Sequence, residues 1–233
     1  GGPLGSDKPS VNGISIELNA AGNTDTLSLN NLIFQSSLAN GSLSGVFTEQ
    51  GENRFKGKAD INLAEVFTQL PNTLSLRKDT RLSKGMMALD ASVETTHNVT
   101  SFEGNARIDQ LRGVSKGKKI SWNKSVSVNA RGERRAKGFW LENLSLRSSF
   151  LNGNGRGDLN NMRLNLSADL QAALKEFKKF IDIKGWNGSG NLKADLQLSE
   201  QSKPLNKALL KLPINDFVLR RNRSLILPKQ DVR

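Results

Sequence analysis

Asn31-Leu32-Ile33-Phe34-Gln35-Ser36-Ser37-Leu38-Ala39-Asn40-Gly41-Ser42-Leu43-Ser44-Gly45 returns later in the chain as Asn143-Leu144-Ser145-Leu146-Arg147-Ser148-Ser149-Phe150-Leu151-Asn152-Gly153-Asn154-Gly155-Arg156-Gly157. Asn, Leu, the Ser pair, Asn and two Gly are identical in register between the two copies. Upstream, Asn19-Ala20-Ala21-Gly22 is echoed by Asn129-Ala130-Arg131-Gly132, and downstream Ala59-Asp60-Ile61 by Ala168-Asp169-Leu170. The spacing between copies drifts by a few residues, as loop insertions and deletions produce in a true internal repeat.

Within and around the copies, apolar residues fall on every second position, the pattern of strands with one apolar and one polar face. Ile14, Ile16 and Leu18 show it, as do Phe55, Ala59, Ile61 and Leu63, then Met87, Leu89, Ala91 and Val93. It continues through Leu144 and Leu146, then Met162, Leu164, Leu166, Ala168 and Leu170, and Leu192, Ala194, Leu196 and Leu198. Stretches such as Ala21-Gly22-Asn23-Thr24-Asp25, Glu49-Gln50-Gly51-Glu52-Asn53 and Leu159-Asn160-Asn161 separate them with residues that hairpin turns favour. Strands joined by such short turns are antiparallel neighbours, so a meander is predicted.

Two segments leave the period of two. Leu63, Val66, Phe67 and Leu70 are spaced for one face of a helix stopped by Pro71. Leu170, Leu174, Phe177 and Ile181 share a second such face with lysines opposite. Each predicted helix directly follows a strand, and a Gly-led strand follows each, Gly85 to Val93 and Gly190 to Leu198. The predicted divisions are a tag remnant over 1–6, a first repeat over 7–118, a second over 119–203, and over 204–233 the start of a further unit or a basic tail. The fold class is mainly β: an elongated antiparallel repeating β-groove, a taco-like curved sheet with short interspersed helices. The alternative is a β-sandwich made of a duplicated half.

Composition narrows the chemistry. The 233 residues contain no Cys and no Tyr and a single His, with 34 Lys and Arg against 22 Asp and Glu. Disulfides, thiolate metal sites and cysteine nucleophiles are excluded, and the commonest general base is confined to His97, in a polar turn without a neighbouring acid or nucleophile. Asp158, Asp169, Asp182 and Asp195 fall on different turns and strands, so neither a carboxylate pair nor a metal site is expected. Gly153 to Gly157 looks like a phosphate loop but opens no helix, and a bulge or bend is the better reading. The composition argues against an enzyme and for no cofactor.

The net charge of +12 is spread in short clusters: Lys116, Lys118, Lys119 and Lys124; Arg131, Arg134, Arg135 and Lys137; Lys175, Lys178 and Lys179; Arg220, Arg221 and Arg223. Solvated loops or a polyanionic partner both account for them. Trp122, Trp140 and Trp186 lie near these clusters, but no nucleic-acid module pattern accompanies them, so a nucleic-acid partner is not expected. No run of about 20 apolar residues is present. Gly-Gly-Pro-Leu-Gly-Ser at the start reads as a cleaved-tag remnant. The rest reads as an excised piece, with any signal or anchor expected outside it.

The repeated block ending Asn152-Gly153-Asn154-Gly155-Arg156-Gly157, then Ala168-Asp169-Leu170, a short amphipathic helix and Gly188-Ser189-Gly190-Asn191-Leu192-Lys193-Ala194-Asp195-Leu196, resembles the AsmA-like proteins. The resemblance spans both repeats, from Gly13 to Ser199. It implies a periplasmic location in a Gram-negative envelope, with an inner-membrane anchor through a segment absent from this sequence. It also implies a repeating β-groove, lined with apolar side chains, that carries phospholipid between inner and outer membranes. Expected partners are phospholipid and inner- and outer-membrane or envelope proteins.

Strand parity then names the groove-lining, lipid-binding candidates: Leu32, Phe34, Phe55, Ile61, Leu89, Val93, Leu144, Leu146, Leu164, Leu166, Leu192 and Leu196. Ile33, Ser145 and Lys193 are expected on the other face. Small residues at Gly57, Ala59, Ala91, Ala168 and Ala194 are expected either to leave room for an acyl chain or to mark bends and close sheet contacts. The alternative function is a structural or interaction module that docks a protein or an acidic polymer through its basic surface.

Overall fold

A computed structural model describes residues 7–136, 138–158, 161–183, 185–199, 207–211, 214–221 and 224–227. Side chains 192 and 194–199, and those of every strand beyond them, lie outside the described residues. The chain runs through β1 (Ser15–Gly22), β2 (Thr26–Gln35), β3 (Ala39–Thr48), β4 (Asn53–Asn62), α1 (Leu63–Gln69), β5 (Thr80–Thr96), β6 (Val99–Ser115) and β7 (Lys118–Trp122). It continues through β8 (Val126–Arg135), β9 (Gly138–Arg147), β10 (Leu151–Asp158), β11 (Met162–Asp169), α2 (Leu170–Phe177), β12 (Trp186–Ser199), β13 (Lys207–Lys211), β14 (Ile214–Arg221) and β15 (Ser224–Leu227).

All fifteen strands join one antiparallel sheet in the order β1-β2-β3-β4-β5-β6-β8-β9-β10-β11-β12-β14-β15, with β7 paired to β6 and β13 to β12. The meander follows from turn chemistry. Asn23 accepts hydrogen bonds on its side-chain oxygen from the backbone N–H groups of Asp25 and Thr26. His97 and Asn98 both take left-handed φ, 48° and 67°, and close a two-residue hairpin whose twist matches the strands it joins.

The repeat is structural as well as textual. β12 pairs with β13 along one half and with β14 along the other, and β14 then pairs with β15. Correspondingly, β5 pairs along its length with the single strand β6, and β6 with β7. The strands beyond residue 203 thus stand to β12 as β6 and β7 stand to β5.

The sheet does not close against a second one, so the groove and not the sandwich is the architecture. The chain exposes 15995 Å² of surface, whereas a compact protein of its 25.5 kDa exposes about 10,400 Å². Leu63, Leu111, Leu141, Phe150 and Phe180 are the only buried apolar residues among those described. A sandwich of this length would sink whole strand faces.

Curvature is visible where the two helical segments meet. Six strand-to-strand steps separate β5 from β12, about 29 Å along a flat sheet. Yet Leu76, in the loop before β5, forms an isolated antiparallel bridge with Ile181, in the loop before β12. Arg77 N–H donates to the Phe180 carbonyl and Asp182 N–H to the Ser75 carbonyl. Only a sheet bent around its apolar face brings these loops together, and the contact forms a keel along one end of the strands.

The helices begin as their sequences require. Asn62 and Asp169, each the last residue of a strand, accept on their side chains from the N–H groups of Glu65 and Ala172, the ordinary N-cap hydrogen bond. α1 ends at Gln69 with Leu70 as its C-cap, just before Pro71. α2 is shorter than its periodicity predicts: it ends at Phe177, and Ile181 belongs to the keel bridge and not to the helix. No Gly or Pro stops it: residues 178–180 continue as a turn, with the Phe180 and Ile181 N–H groups both on the Phe177 carbonyl, before the chain meets the opposite loop at Ile181.

Candidate functional site

Cross-strand register converts the alternation into continuous rungs, because residues opposite one another in an antiparallel pair lie on the same face. One rung runs Ile16, Phe34, Gly41, Ala59, Leu89, Ala106, Val128, Leu146, Gly153, Leu166, one residue from each of ten neighbouring strands. A second runs Leu18, Leu32, Leu43, Gly57, Ala91, Gly104, Ala130, Leu144, Gly155, Leu164. Neither contains a polar side chain over a span of about 43 Å. A third, shorter rung runs Gly45, Phe55, Val93, Phe102, Gly132, Leu141, Gly157, Met162. Toward the keel, Ile61 pairs with Met87 and Met87 with Ile108.

The opposite face is polar in the same register. Ser42, Lys58, Asp90, Asn105, Asn129, Ser145, Asn154 and Asn165 form one of its rungs. Asn165 Nδ2 donates to Asn154 Oδ1 at 3.1 Å, and Lys58 faces Asp90 at 3.7 Å.

Ten of the twelve parity-chosen candidates, Leu32, Phe34, Phe55, Ile61, Leu89, Val93, Leu144, Leu146, Leu164 and Leu166, sit on the apolar rungs. Leu192 and Leu196 are paired by backbone register with Ala168 and Leu164, and their side chains lie outside the described residues. Ile33 pairs with Ser42 and Ser145 with Asn154, on the polar face, and Lys193 pairs with Ser167. Parity alone left out Ile16, Leu18, Leu43, Phe102, Ala106 and Val128, which register adds to the same surface. The alternation Phe102-Gly104-Ala106-Ile108 was a usable signal for one of these strands.

The face is uncovered by the rest of the chain. Ile16 and Leu18 are each 66% exposed, Val93 39% and Phe34 36%, and most other rung residues are half-buried. Contiguous apolar surface of this extent exceeds the largest patch that a typical monomeric domain exposes. Small residues contribute in two ways. Phe34, Phe102 and Leu166 lay their side chains over the neighbouring strands at Gly41, Gly132 and Gly153, where a Cβ would collide with them, so these glycines level the surface. At Gly57 and Gly104, which alternate with Ala91 and Ala130 on the second rung, no side chain collides in this way: a Cβ on Gly57 would meet Leu43 Cδ1 at an ordinary 3.4 Å, and one on Gly104 only the Asp90 carbonyl, at 3.9 Å. Four successive small residues on the second rung therefore make a trough about 14 Å long at mid-sheet.

At the keel the groove is sealed by packing. Leu63, Leu111 and Phe180 form a buried cluster against which Ile61, Phe67, Met87, Ile108, Trp122 and Ile181 pack. The Trp122 ring lies 5.8 Å from Phe150, 6.3 Å from Phe177 and 6.4 Å from Phe180, and Phe150 and Phe177 meet edge-on at 5.2 Å. Gly85 lets Leu63 of α1 approach β5, and Gly188 lets Leu170 and Leu174 of α2 approach β12. Both helices thus lie on the apolar side and close its end.

Among the described residues no group of three or more His, Asp or Glu is placed to hold a metal ion, and no helix is long and apolar enough to cross a membrane. His97 sits exposed at its hairpin tip, and Gly157 takes φ 126° beside a register shift, the predicted bulge. No protein-family model, curated protein or solved structure matches this chain.

Proposed function

We propose that this chain is a non-enzymatic lipid-binding and lipid-transferring groove, conducting phospholipid acyl chains along its apolar face between the inner and outer membranes. The observation that carries the reading is the pair of ten-strand rungs without a polar residue. A peptide ligand needs hydrogen-bond donors and acceptors in its site, and a rigid small molecule needs an enclosed pocket with a few placed polar groups. The rungs offer neither. They offer a long surface with no preferred stopping point, which suits a flexible hydrocarbon that must slide. Each 100 Å² of acyl surface withdrawn from water stabilises the complex by about 2.5 kcal/mol, without directional contacts. The polar outer face keeps the carrier in water while its inner face is loaded.

Membership of the AsmA-like proteins, a periplasmic setting and an inner-membrane anchor outside this sequence are proposed with this reading, on the sequence resemblance. The test is site-specific photo-crosslinking in the presence of phospholipid. A photoreactive residue at Phe34, Leu89, Leu144 or Leu164 is expected to capture lipid, whereas one at Ile33, Ser145 or Lys193 is not. Equal capture from both faces, together with lipid-free protein in native mass spectrometry, overturns the proposal in favour of a module that docks a protein or an acidic polymer.

A further inference from the structure

The geometry points to a second site, for a phosphate-bearing anion, in the cleft that the keel creates between the two repeats. The cleft encloses about 510 Å³. Four cations converge on it from three separate places: Arg77 and Lys78 from the loop between α1 and β5, Lys116 from the β6–β7 turn, and Lys178 from the end of α2. Two carboxylates, Asp79 and Asp182, also line it, leaving an excess of positive charge.

The cations divide into held and open ones. Arg77 donates from Nη1 to the Lys178 carbonyl at 3.1 Å, and its Nε lies 3.7 Å from the Asp79 carboxylate. Lys178 donates from Nζ to Asn187 Oδ1 at 2.8 Å. Lys116 donates from its backbone N–H to the Asp79 carbonyl at 3.3 Å, but the side chains of Lys78 and Lys116 are exposed and their ammonium groups have no hydrogen bond or ion pair among the described residues. Two ammonium groups flanked by a fixed guanidinium supply the charge-assisted donors that a phosphate takes.

Apolar side chains line the same cleft: Ile181, Ile183 and Trp186, of which Ile181 continues into the packed cluster of the keel. A cleft lined both by cations and by an indole and two aliphatic chains fits an amphiphilic anion, the headgroup and first methylenes of an anionic phospholipid. This choice of source rests on the lipid reading of the groove; the phosphate site itself does not.

The test titrates the full chain with dihexanoyl phosphatidylglycerol below its micelle concentration, with dihexanoyl phosphatidylcholine, and with inorganic phosphate, by calorimetry and tryptophan fluorescence. Phosphatidylglycerol is expected to bind saturably and to perturb a fluorescence component that Trp186→Phe removes. The double variant Lys78→Gln/Lys116→Gln is expected to weaken that binding by about tenfold or more, the loss of a charge-assisted hydrogen bond. The same variant is expected to leave phosphatidylcholine binding and groove crosslinking unchanged. Inorganic phosphate binding as tightly as the lipid upholds the site and assigns free phosphate as its source; much weaker binding assigns the headgroup. Phosphatidylglycerol binding that is indifferent to the double variant and to Lys178→Gln overturns the site and leaves the groove reading standing. Absence of saturable binding by either anion also overturns it. Loss of groove crosslinking with cleft binding retained removes the groove reading alone.

Discussion

Leu146, Leu164 and Leu141 all face the apolar side, yet they answer differently to the same insult because they differ in cover. Leu146 and Leu164 are half-buried on the two long rungs, whereas Leu141 is only 8% exposed. A charge at a half-buried rung position keeps part of its hydration, so Leu164→Asp and Leu146→Arg are expected to fold, with a circular-dichroism spectrum and melting temperature close to wild type. Each nevertheless interrupts the track, since an acyl chain passing the charge must strip water from it at a cost of several kcal/mol. Lipid transfer by either variant, made in the full-length protein, should be abolished. Leu141→Asp leaves its charge buried and unpaired, and global unfolding is expected there. Unfolding at all three positions would mean that the rungs are core and not groove wall.

The keel rests on ring packing, and its members have unequal standing. Phe180 is 3% exposed, so Phe180→Ala is expected to destabilise the chain by about 3–5 kcal/mol in a urea melt. Trp122 carries a liability within the same cluster: its buried indole N–H has no hydrogen-bond partner among the described residues. An orphaned buried donor costs about 1–3 kcal/mol, so Trp122→Phe, which removes it while keeping a ring beside Phe150 and Phe177, is expected to be near neutral. Trp122→Ala is expected to cost about as much as Phe180→Ala. If Trp122→Phe proves as damaging as Trp122→Ala, the indole N–H has a partner and the cluster is tighter than these contacts indicate. Ile181 has the spacing of a helical residue, but Leu76 approaches from the other repeat and takes it into a bridge.

Across the whole molecule, contacts run between neighbours along an open sheet, joined once more at the keel. A compact domain of 233 residues has a radius of gyration of about 17 Å. Small-angle scattering is expected to return a clearly larger value and an asymmetric distance distribution; a value at the compact figure would revive the sandwich. Stability in such an array is a sum over units and the interfaces between them. Edge strand β1, exposed along its whole length, is therefore expected to exchange its amide protons well before the strands that carry Leu111 and Phe150's neighbour Leu151.

The alternation of Leu32 with Phe34, Leu144 with Leu146 and Leu164 with Leu166, the hairpin turns between them and the strand-then-helix order were legible in the sequence, because strand parity, turn chemistry and N-caps are set by residues close together in the chain. The duplicated Asn-Gly block was enough to reveal two units. Three things waited for the tertiary structure. Whether alternating faces meet one another, as in a sandwich, or stay open, as they do here, depends on how the sheet curves, and no local pattern encodes that sign. The unbroken rungs from Ile16 to Leu166 and from Leu18 to Leu164 exist only once ten registers are fixed together, since a slip of one residue in any pair would turn that strand's polar side into the groove. The keel, with Leu76 on Ile181 and Arg77 on Lys178, joins residues about a hundred positions apart, and it forms because bending the sheet brings two equivalent loops within reach of hydrogen bonds to each other.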